Sequence, residues 1–196
     1  MISRRNSALA LSGLALAAIF SIATPAIAQD VNAPKVKLAT SMGDIVVQLD
    51  PAKAPKTVAN FLQYVQEKHY DGTIFHRVID SFMVQGGGFT ADMAQKPVRA
   101  PIALEAQNGL KNDQYTIAMA RTNVPDSATA QFFINVKDNA MLNARQPSGD
   151  GYAVFGKVVQ GTDVVDKIKA VATATKGGHQ NVPSSTVTII SATLVK

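Results

Sequence analysis

An arginine flanked by apolar residues, Arg77, lies near the middle of the chain within the run Phe75–Gly87, FHRVIDSFMVQGG. The pattern predicts a strand, a short turn and a second strand that ends in glycines. Without a bulge, strand periodicity would place Phe75, Arg77 and Ile79 on one face. The stem of an arginine can lie on apolar surface, but its five N–H donors need acceptors. Arg77 is therefore either a donor to a bound ligand or a rim side chain that reaches water.

Other chemistry has little support in the sequence. His69, His76 and His179 are far apart in the chain, which has no cysteine and no His-Glu-x-x-His spacing, so we expect no metal site. We interpret His76 as a structural residue whose ring is satisfied by hydrogen bonds. No serine lies in a Gly-x-Ser-x-Gly turn, which argues against a hydrolase. Neither Gly-Lys-Ser/Thr nor a predicted helix follows the glycines at 86–88. We expect these glycines to permit an unusual backbone path beside a ligand rather than to bind phosphate.

The run Phe75–Gly87 resembles the central motif of the cyclophilins, the cyclosporin-type peptidyl-prolyl cis–trans isomerases. It matches their Phe-His-Arg-Val-Ile-x-x-Phe-Met-(Val/Ile)-Gln-Gly-Gly pattern at every specified position. Further similarity in Met119–Arg121, Gln131–Ile134 and Val154–Val158 extends the resemblance over roughly residues 35–196. The resemblance implies an isomerase that acts on proline-containing polypeptides without a cofactor.

Rotation about an X–Pro bond is slow because amide resonance must be lost, at a barrier of about 18–20 kcal/mol. A catalyst needs a hydrogen-bond donor aimed at the prolyl nitrogen and an apolar pocket that holds the proline ring. It needs no nucleophile, metal or redox centre. A rate gain of roughly a millionfold requires about 8 kcal/mol of preference for the transition state, which preorganised donors and orientation can supply. The planar, always charged guanidinium of Arg77 suits the donor role.

The resemblance assigns site residues one by one. The catalytic group is Arg77, Phe82, Gln85 and Phe133, in which Gln85 binds substrate and orients the arginine. The substrate-binding group is Met83, Ala120, Arg121, Gln131, Met141, Leu142 and Tyr152. Within these sets, the walls of the proline pocket are Phe82, Met83, Phe133 and Leu142, and Ala120 offers a backbone contact. Without the family, each aromatic residue or methionine would be interpreted as core.

Several positions depart from the family pattern. Met141 stands where many members have Trp or Phe, and the chain has no Trp. We therefore expect weak cyclosporin binding with catalysis retained. Arg121 replaces a common Asn, which leaves its substrate contact open. Tyr152 replaces a frequent His and still offers a hydroxyl donor, Ala130 stands where Ser is usual, and the loop Asn143–Gly151 is longer than in compact eukaryotic members.

The flanking sequence predicts the elements that position these residues. Alternating patterns predict further strands at 35–39, 45–49, 115–120, 131–135, 152–159 and 186–195, and helical spacing predicts helices at 51–68 and 162–170, with Thr162 as N-cap. Many short strands with only two helices indicate a mainly β, closed antiparallel barrel. The resemblance implies eight strands with a helix over each open end.

The N-terminus has the pattern of a signal peptide at residues 1–28. Arg4 and Arg5 precede the apolar run Ala8–Ala23, and Ala26-Ile27-Ala28 forms a small-x-small cleavage site. Residues 29–34 would be a flexible lead-in to a domain at 35–196. An uncleaved membrane anchor is the alternative, but the apolar run is short for a span. We expect a periplasmic protein without stable membrane association. The arginine pair raises the twin-arginine route, although the residues after it fit that pattern poorly.

Composition limits the partners. The formal charge of +5 falls to +3 when Arg4 and Arg5 leave with the leader, and the remaining lysines are scattered, so we expect no nucleic-acid binding. Without cysteine the exported protein relies on its core, and we expect a monomer. Two alternatives to the isomerase remain. One is a non-catalytic proline-peptide binder or holding chaperone on the same barrel. The other is a small-ligand carrier, which gives the run Phe75–Gly87 no role.

Overall fold

The computed structural model of the chain describes residues 33–145 and 150–195. The predicted signal peptide and residues 29–32 of the predicted lead-in lie outside this part. The strands are β1 Lys35–Thr40, β2 Gly43–Leu49, β3 Thr73–Ile79, β4 Met83–Gly86, β5 Thr116–Met119, β6 Phe132–Asn135, β7 Val154–Gln160, β8 Thr173–Lys176, β9 His179–Pro183 and β10 Thr188–Val195. The helices are α1 Pro55–Gln66, α2 Thr162–Lys169 and a 3₁₀ turn at Ala140–Leu142.

Eight of the strands close into a barrel in the order β1-β10-β3-β4-β6-β5-β7-β2, and every pair is antiparallel. The predicted fold is thus confirmed. Both helices contribute apolar side chains to the buried cluster that fills the barrel, Val58 and Phe61 from α1 and Val165 and Ile168 from α2. In the described residues, no helix is long and apolar enough to cross a bilayer.

Both helices are shorter than the sequence pattern predicts. Helix α1 begins at Pro55, and its free N–H groups are capped from outside: the Glu105 carboxylate accepts hydrogen bonds from the Lys56 N–H at 3.1 Å and the Thr57 N–H at 2.8 Å. The prediction of Thr162 as N-cap of α2 is wrong. The N-cap is Gly161 in a left-handed conformation, packed against the Asp44 carbonyl, which leaves no room for a side chain.

The hairpin of β8 and β9 is not among the elements predicted from the sequence. The two strands pair with each other outside the barrel, Thr173 opposite Pro183. All four residues of β8 are exposed. Since an exposed polar strand has no apolar alternation, its sequence carries none of the periodicity by which strands are recognised.

A bulge at His76 overturns the predicted facing of β3. Phe75 pairs with Gly86, but Arg77 pairs with Gln85, so β3 contains one residue more than β4 between these two pairs. The extra residue reverses the alternation. Phe75 is buried inside the barrel, whereas Arg77 faces outward. The expectation that Phe75 and Arg77 share a face is therefore wrong.

Alternate residues of the adjoining strands belong to two separate apolar clusters. The interior cluster fills the barrel and includes Val84, Ile117, Phe132, Ile134 and Phe155. The outer cluster lies on the other face of the same strands and consists of Met83, Ala118, Phe133 and Val154, with Ile79, Phe82, Leu110, Ala120, Leu142 and Tyr152 packed against them. The outer face of a barrel is normally polar. An apolar cluster on this outer face therefore indicates a binding surface for a ligand.

Candidate active site

One row of outward-facing residues crosses five strands of the barrel. Arg77 lies opposite Gln85, Gln85 opposite Phe133, Phe133 opposite Ala118, and Ala118 opposite Val154. Directly opposed residues have Cβ atoms about 4.5–5.5 Å apart, close enough for their side chains to touch. The sheet therefore sets a cation, an amide and an aromatic ring side by side on rigid elements.

This row borders a cleft of about 110 Å³. The lining residues are Arg77, Phe82, Met83, Gln85, Ala120, Arg121, Phe133, Leu142 and Tyr152. All nine are among the eleven site residues predicted from the sequence, so the fold brings together residues from six separate segments.

Two predicted site residues lie outside the lining. Gln131 is behind the cleft wall, where its Oε1 accepts a hydrogen bond from Gln85 Nε2 at 3.0 Å. Met141 lies in the 3₁₀ turn with 56% of its surface exposed. Its side chain therefore flanks the cleft rather than forming it.

A chain of polar side chains orients Arg77. Arg77 Nη1 donates to Gln85 Oε1 at 3.4 Å, and Gln85 is itself held by Gln131. The long first bond leaves the guanidinium available to another acceptor. Gly88 makes room for this arrangement, because a Cβ at position 88 would lie 2.5 Å from Gln131 Cγ. The unusual backbone path predicted for these glycines is found at Gly87, whose φ is +84°, whereas Gly88 is required by the packing of Gln131.

The far wall of the cleft is aromatic and cationic. The rings of Phe133 and Tyr152 meet edge to face, with centroids 5.5 Å apart at an interplanar angle of 79°. The guanidinium of Arg121 lies over the Tyr152 ring, 4.9 Å from its centroid. Arg121 Nε also donates to the Gly151 carbonyl at 2.8 Å, which fixes the side chain in place.

Three buried asparagines behind the cleft were missed in the sequence. Asn139 Nδ2 donates to the Phe82 carbonyl and to Asn135 Oδ1, each at 2.7 Å. Asn112 donates from its Nδ2 to the Leu142 carbonyl at 3.2 Å, and its Oδ1 accepts a hydrogen bond from Asn135 Nδ2. The network therefore fixes the backbone of two lining residues. The available signal was Asn135 within a predicted strand, where asparagine is disfavoured unless its amide has partners.

His76 is buried beside the site. Its ring lies against Phe89 at a centroid distance of 4.6 Å, and His179 packs on the same Phe89 at 5.2 Å. The ring forms a backbone hydrogen bond with Ile74, but its Nδ1 has no partner in the described part of the chain, so the predicted satisfaction of the ring is only partial. Burial, with smaller effects from His179 and Arg77, lowers the pKa of His76 to about 4. The ring is therefore neutral at neutral pH.

Comparison with known proteins gives a consistent result. The family model described as cyclophilin type peptidyl-prolyl cis-trans isomerase/CLD matches residues 35–194. The peptidyl-prolyl cis-trans isomerase cyp18 of Streptomyces antibioticus is 64% identical over 162 residues, which cover 82% of this chain and 98% of the relative. Peptidyl-prolyl cis-trans isomerase B of Escherichia coli (strain K12) is 58% identical over 157 residues, which cover 79% of this chain and 96% of the relative.

The fold has a matching solved structure. A cyclophilin type isomerase of Cryptosporidium parvum, crystallised in the presence of the dipeptide Ala-Pro, superposes with a TM-score of 0.68. The match covers 83% of this chain and 99% of that one at 24% identity, so it bears on the fold alone. The family model, the relatives and the assembled cleft together identify the chain as a member of the cyclophilin family and as a peptidyl-prolyl cis-trans isomerase.

Proposed function

We propose that this isomerase is an exported, periplasmic enzyme that accelerates X–Pro rotation in folding polypeptides, with no covalent intermediate and no cofactor. Arg77 is the hydrogen-bond donor to the prolyl nitrogen. The observation that carries the proposal is the outward guanidinium of Arg77 beside an apolar cleft, in register with Gln85 and Phe133 on neighbouring strands.

The cleft can hold the proline ring while the other side of the bond turns. Apolar contacts to the ring come from Phe82, Met83, Phe133 and Leu142. The buried side chains of Met83 and Phe133 form a rigid floor of the cleft. A ring held in this way leaves only the preceding carbonyl free to rotate. The binding energy of the ring is then used to orient the bond relative to the donor.

Arg77 lowers the barrier to rotation that arises from amide resonance. As the bond twists, the nitrogen lone pair leaves conjugation and becomes a hydrogen-bond acceptor. A donor from Arg77 stabilises that lone pair in the transition state more than in the planar amide. Among the described residues the guanidinium makes one hydrogen bond, to Gln85, and that bond is long, so N–H groups remain for the substrate carbonyl. No bond is made or broken, so no acid, base or nucleophile is required.

Arg77→Ala tests the donor role. We expect at least a tenfold loss of kcat/KM in cis–trans isomerisation of a proline tetrapeptide, because a preorganised donor is lost. The circular dichroism spectrum should not change. Arg99→Ala is the matched control, since Arg99 pairs with Glu67 at the C-terminal end of α1 and does not line the cleft. Normal turnover by Arg77→Ala would refute the role.

The same assay separates an enzyme from a proline-peptide binder. A binder would retain the peptide with no rate enhancement. A second readout is the refolding of a protein whose slow phase is limited by proline isomerisation, which the wild-type chain should accelerate and Arg77→Ala should not. Acceleration that survives Arg77→Ala would support a holding chaperone instead.

Export is proposed from the pattern of residues 1–28, with Arg4 and Arg5 ahead of an apolar run and a small-x-small site at Ala26–Ala28. Fractionation of cells that express the full chain should place the protein in the periplasm. N-terminal sequencing of that protein should begin at Gln29. A product that retains Met1, whether in the cytosol or fixed in the membrane, would contradict the proposal.

A further inference from the structure

The charged side chains that line the cleft are all positive. Both charged residues that line it, Arg77 and Arg121, are arginines. None of the ion pairs within the described residues includes either of them. A partly enclosed cleft with two unpaired cations creates a positive potential in which a negative substrate group is favoured and a positive one disfavoured.

Arg121 is held rigidly, unlike an ordinary surface arginine. Its Nε donates to the Gly151 carbonyl and its Nη1 to the Thr122 carbonyl, both at 2.8 Å, and its plane rests on Tyr152. The described residues provide no partner for Nη2. Because the guanidinium is already immobilised, a ligand that binds it loses less side-chain entropy than usual.

The position of Arg121 puts it within reach of a substrate's neighbouring residues. It follows Ala120 just beyond β5, and Arg77 lies on β3, three strand intervals away in the order β3-β4-β6-β5. At about 4.8 Å per interval the strands are roughly 14 Å apart, and Arg121 lies three residues, about 10 Å, beyond Ala118, which is in register with Arg77. The two backbones are therefore about 17 Å apart, or about five residues of an extended peptide. A proline held over Phe133 lies between the two arginines, so Arg121 meets a side chain within about three residues of it.

We propose that Arg121 is a specificity-determining residue that favours substrates with an Asp or Glu side chain within three residues of the isomerised proline. The inference rests on the proposed role of the cleft as the isomerase site. Arg121 contacts the substrate carboxylate through Nη2, while Arg77 remains the donor to the prolyl nitrogen. The alternative is that Arg121 only anchors the Gly151 backbone, in which case substrate charge would not matter.

The experiment measures kcat/KM on proline peptides that differ at a single position. Glu, Ala or Lys is placed in turn at each of the three positions on either side of the proline, and each peptide is assayed with the wild-type chain, Arg121→Asn, Arg121→Lys and Arg99→Asn. Arg99→Asn removes the same charge from a surface pair with Glu67 and should behave as wild type.

At one or more positions the wild-type chain should favour Glu over Lys by about threefold to fivefold, the range for a partly exposed ion pair. The ratio should fall by at least half in Arg121→Asn and be partly restored in Arg121→Lys. It should also shrink as the salt concentration rises from 0.01 to 0.5 M. The ratio cancels any uniform loss caused by a loosened Gly151.

Two results would overturn the inference: equal rates for Glu and Lys peptides with the wild-type chain, or a Glu-to-Lys ratio unchanged in Arg121→Asn. Both are distinct from failure of the proposed function, in which the wild-type chain would not accelerate even the Ala peptide.

Discussion

Two neighbouring phenylalanines, Phe132 and Phe133, occupy opposite sides of the same sheet. Phe132 points into the barrel, where its ring meets Phe61, Tyr70 and Phe75 edge to face at centroid distances of 5.8, 5.5 and 6.3 Å. Phe133 points outward into the cleft, against Tyr152. Strand alternation thus assigns one ring to the interior cluster and the other to the outer cluster.

The comparison shows how the fold separates stability from binding. The interior cluster is closed on all sides by the barrel and its two helices, so its side chains can be optimised for packing alone. The outer cluster has only one side supported by the sheet. Its other side is covered by Leu110, Leu142 and Tyr152 except at the cleft, where water can exchange for a proline ring.

Replacing each ring in turn tests this separation most strongly. Phe132→Ala should lower the free energy of unfolding by about 3–5 kcal/mol, because it leaves a closed cavity. Phe133→Ala should cost less than half as much, since the space it leaves joins the open cleft, but should reduce kcat/KM at least tenfold. Urea denaturation and the tetrapeptide assay measure the two effects. Equal destabilisation by both variants would show that the clusters are energetically one.

His76 belongs to neither cluster and sharpens the comparison through pH. Its pKa of about 4 lies below the usual 6.5, so between these two pH values the unfolded chain binds a proton at His76 that the folded chain does not. Stability is full above pH 6.5 and falls as the pH is lowered towards 4, by about 2 kcal/mol between pH 7 and pH 5. Burial also lowers the pKa of His69, which adds a dependence of the same sign.

Urea unfolding of wild type and His76→Gln at both pH values isolates the contribution of His76. The variant should lose most of the pH dependence. His179→Gln, which replaces an exposed histidine near the same Phe89, should retain most of it, because burial is the larger cause of the lowered pKa of His76. An unchanged pH dependence in His76→Gln would mean that the ring is protonated without cost in the folded protein.

Gly88→Ala probes the support of the outer face without touching the cleft. The added methyl group displaces Gln131, which holds Gln85, which in turn orients Arg77. We expect kcat/KM to fall about threefold to fivefold, the loss typical of one neutral hydrogen bond. In a Gln131→Ala background the same change should have little further effect. An additive loss in the double variant would show that Gly88 acts by another route.

Met141→Trp should have the smallest effect. Position 141 flanks the outer cluster and is largely exposed, so a larger ring adds contact area there without repacking the cleft. The resemblance links this position to cyclosporin, and we expect affinity to rise about threefold, at the low end for one aromatic contact. Titration of cyclosporin against isomerase activity measures it. No change would indicate that another departure, such as Arg121, limits binding.

The sequence predicted well whatever depends on alternation and on local motifs. Apolar patterning predicted the eight barrel strands, and the family resemblance, carried by the run Phe75–Gly87 and by later segments, implied the nine lining residues. The sequence did not predict the features that depend on packing between distant segments of the chain. The capping of α1 by Glu105 depends on contacts across 48 residues, and the asparagine network joins residues up to 57 positions apart. Neither leaves a local pattern.

Because of the bulge at His76, the number of residues in β3 decides which way Arg77 faces as much as their identities do. Phe75 and Arg77 are two apart, and in a regular strand both would face the same way. Were β3 regular over the same residues, the guanidinium would turn into the apolar barrel interior, where an unpaired charge is prohibitive. The chain would then keep every residue of the run Phe75–Gly87 and have no donor in the cleft.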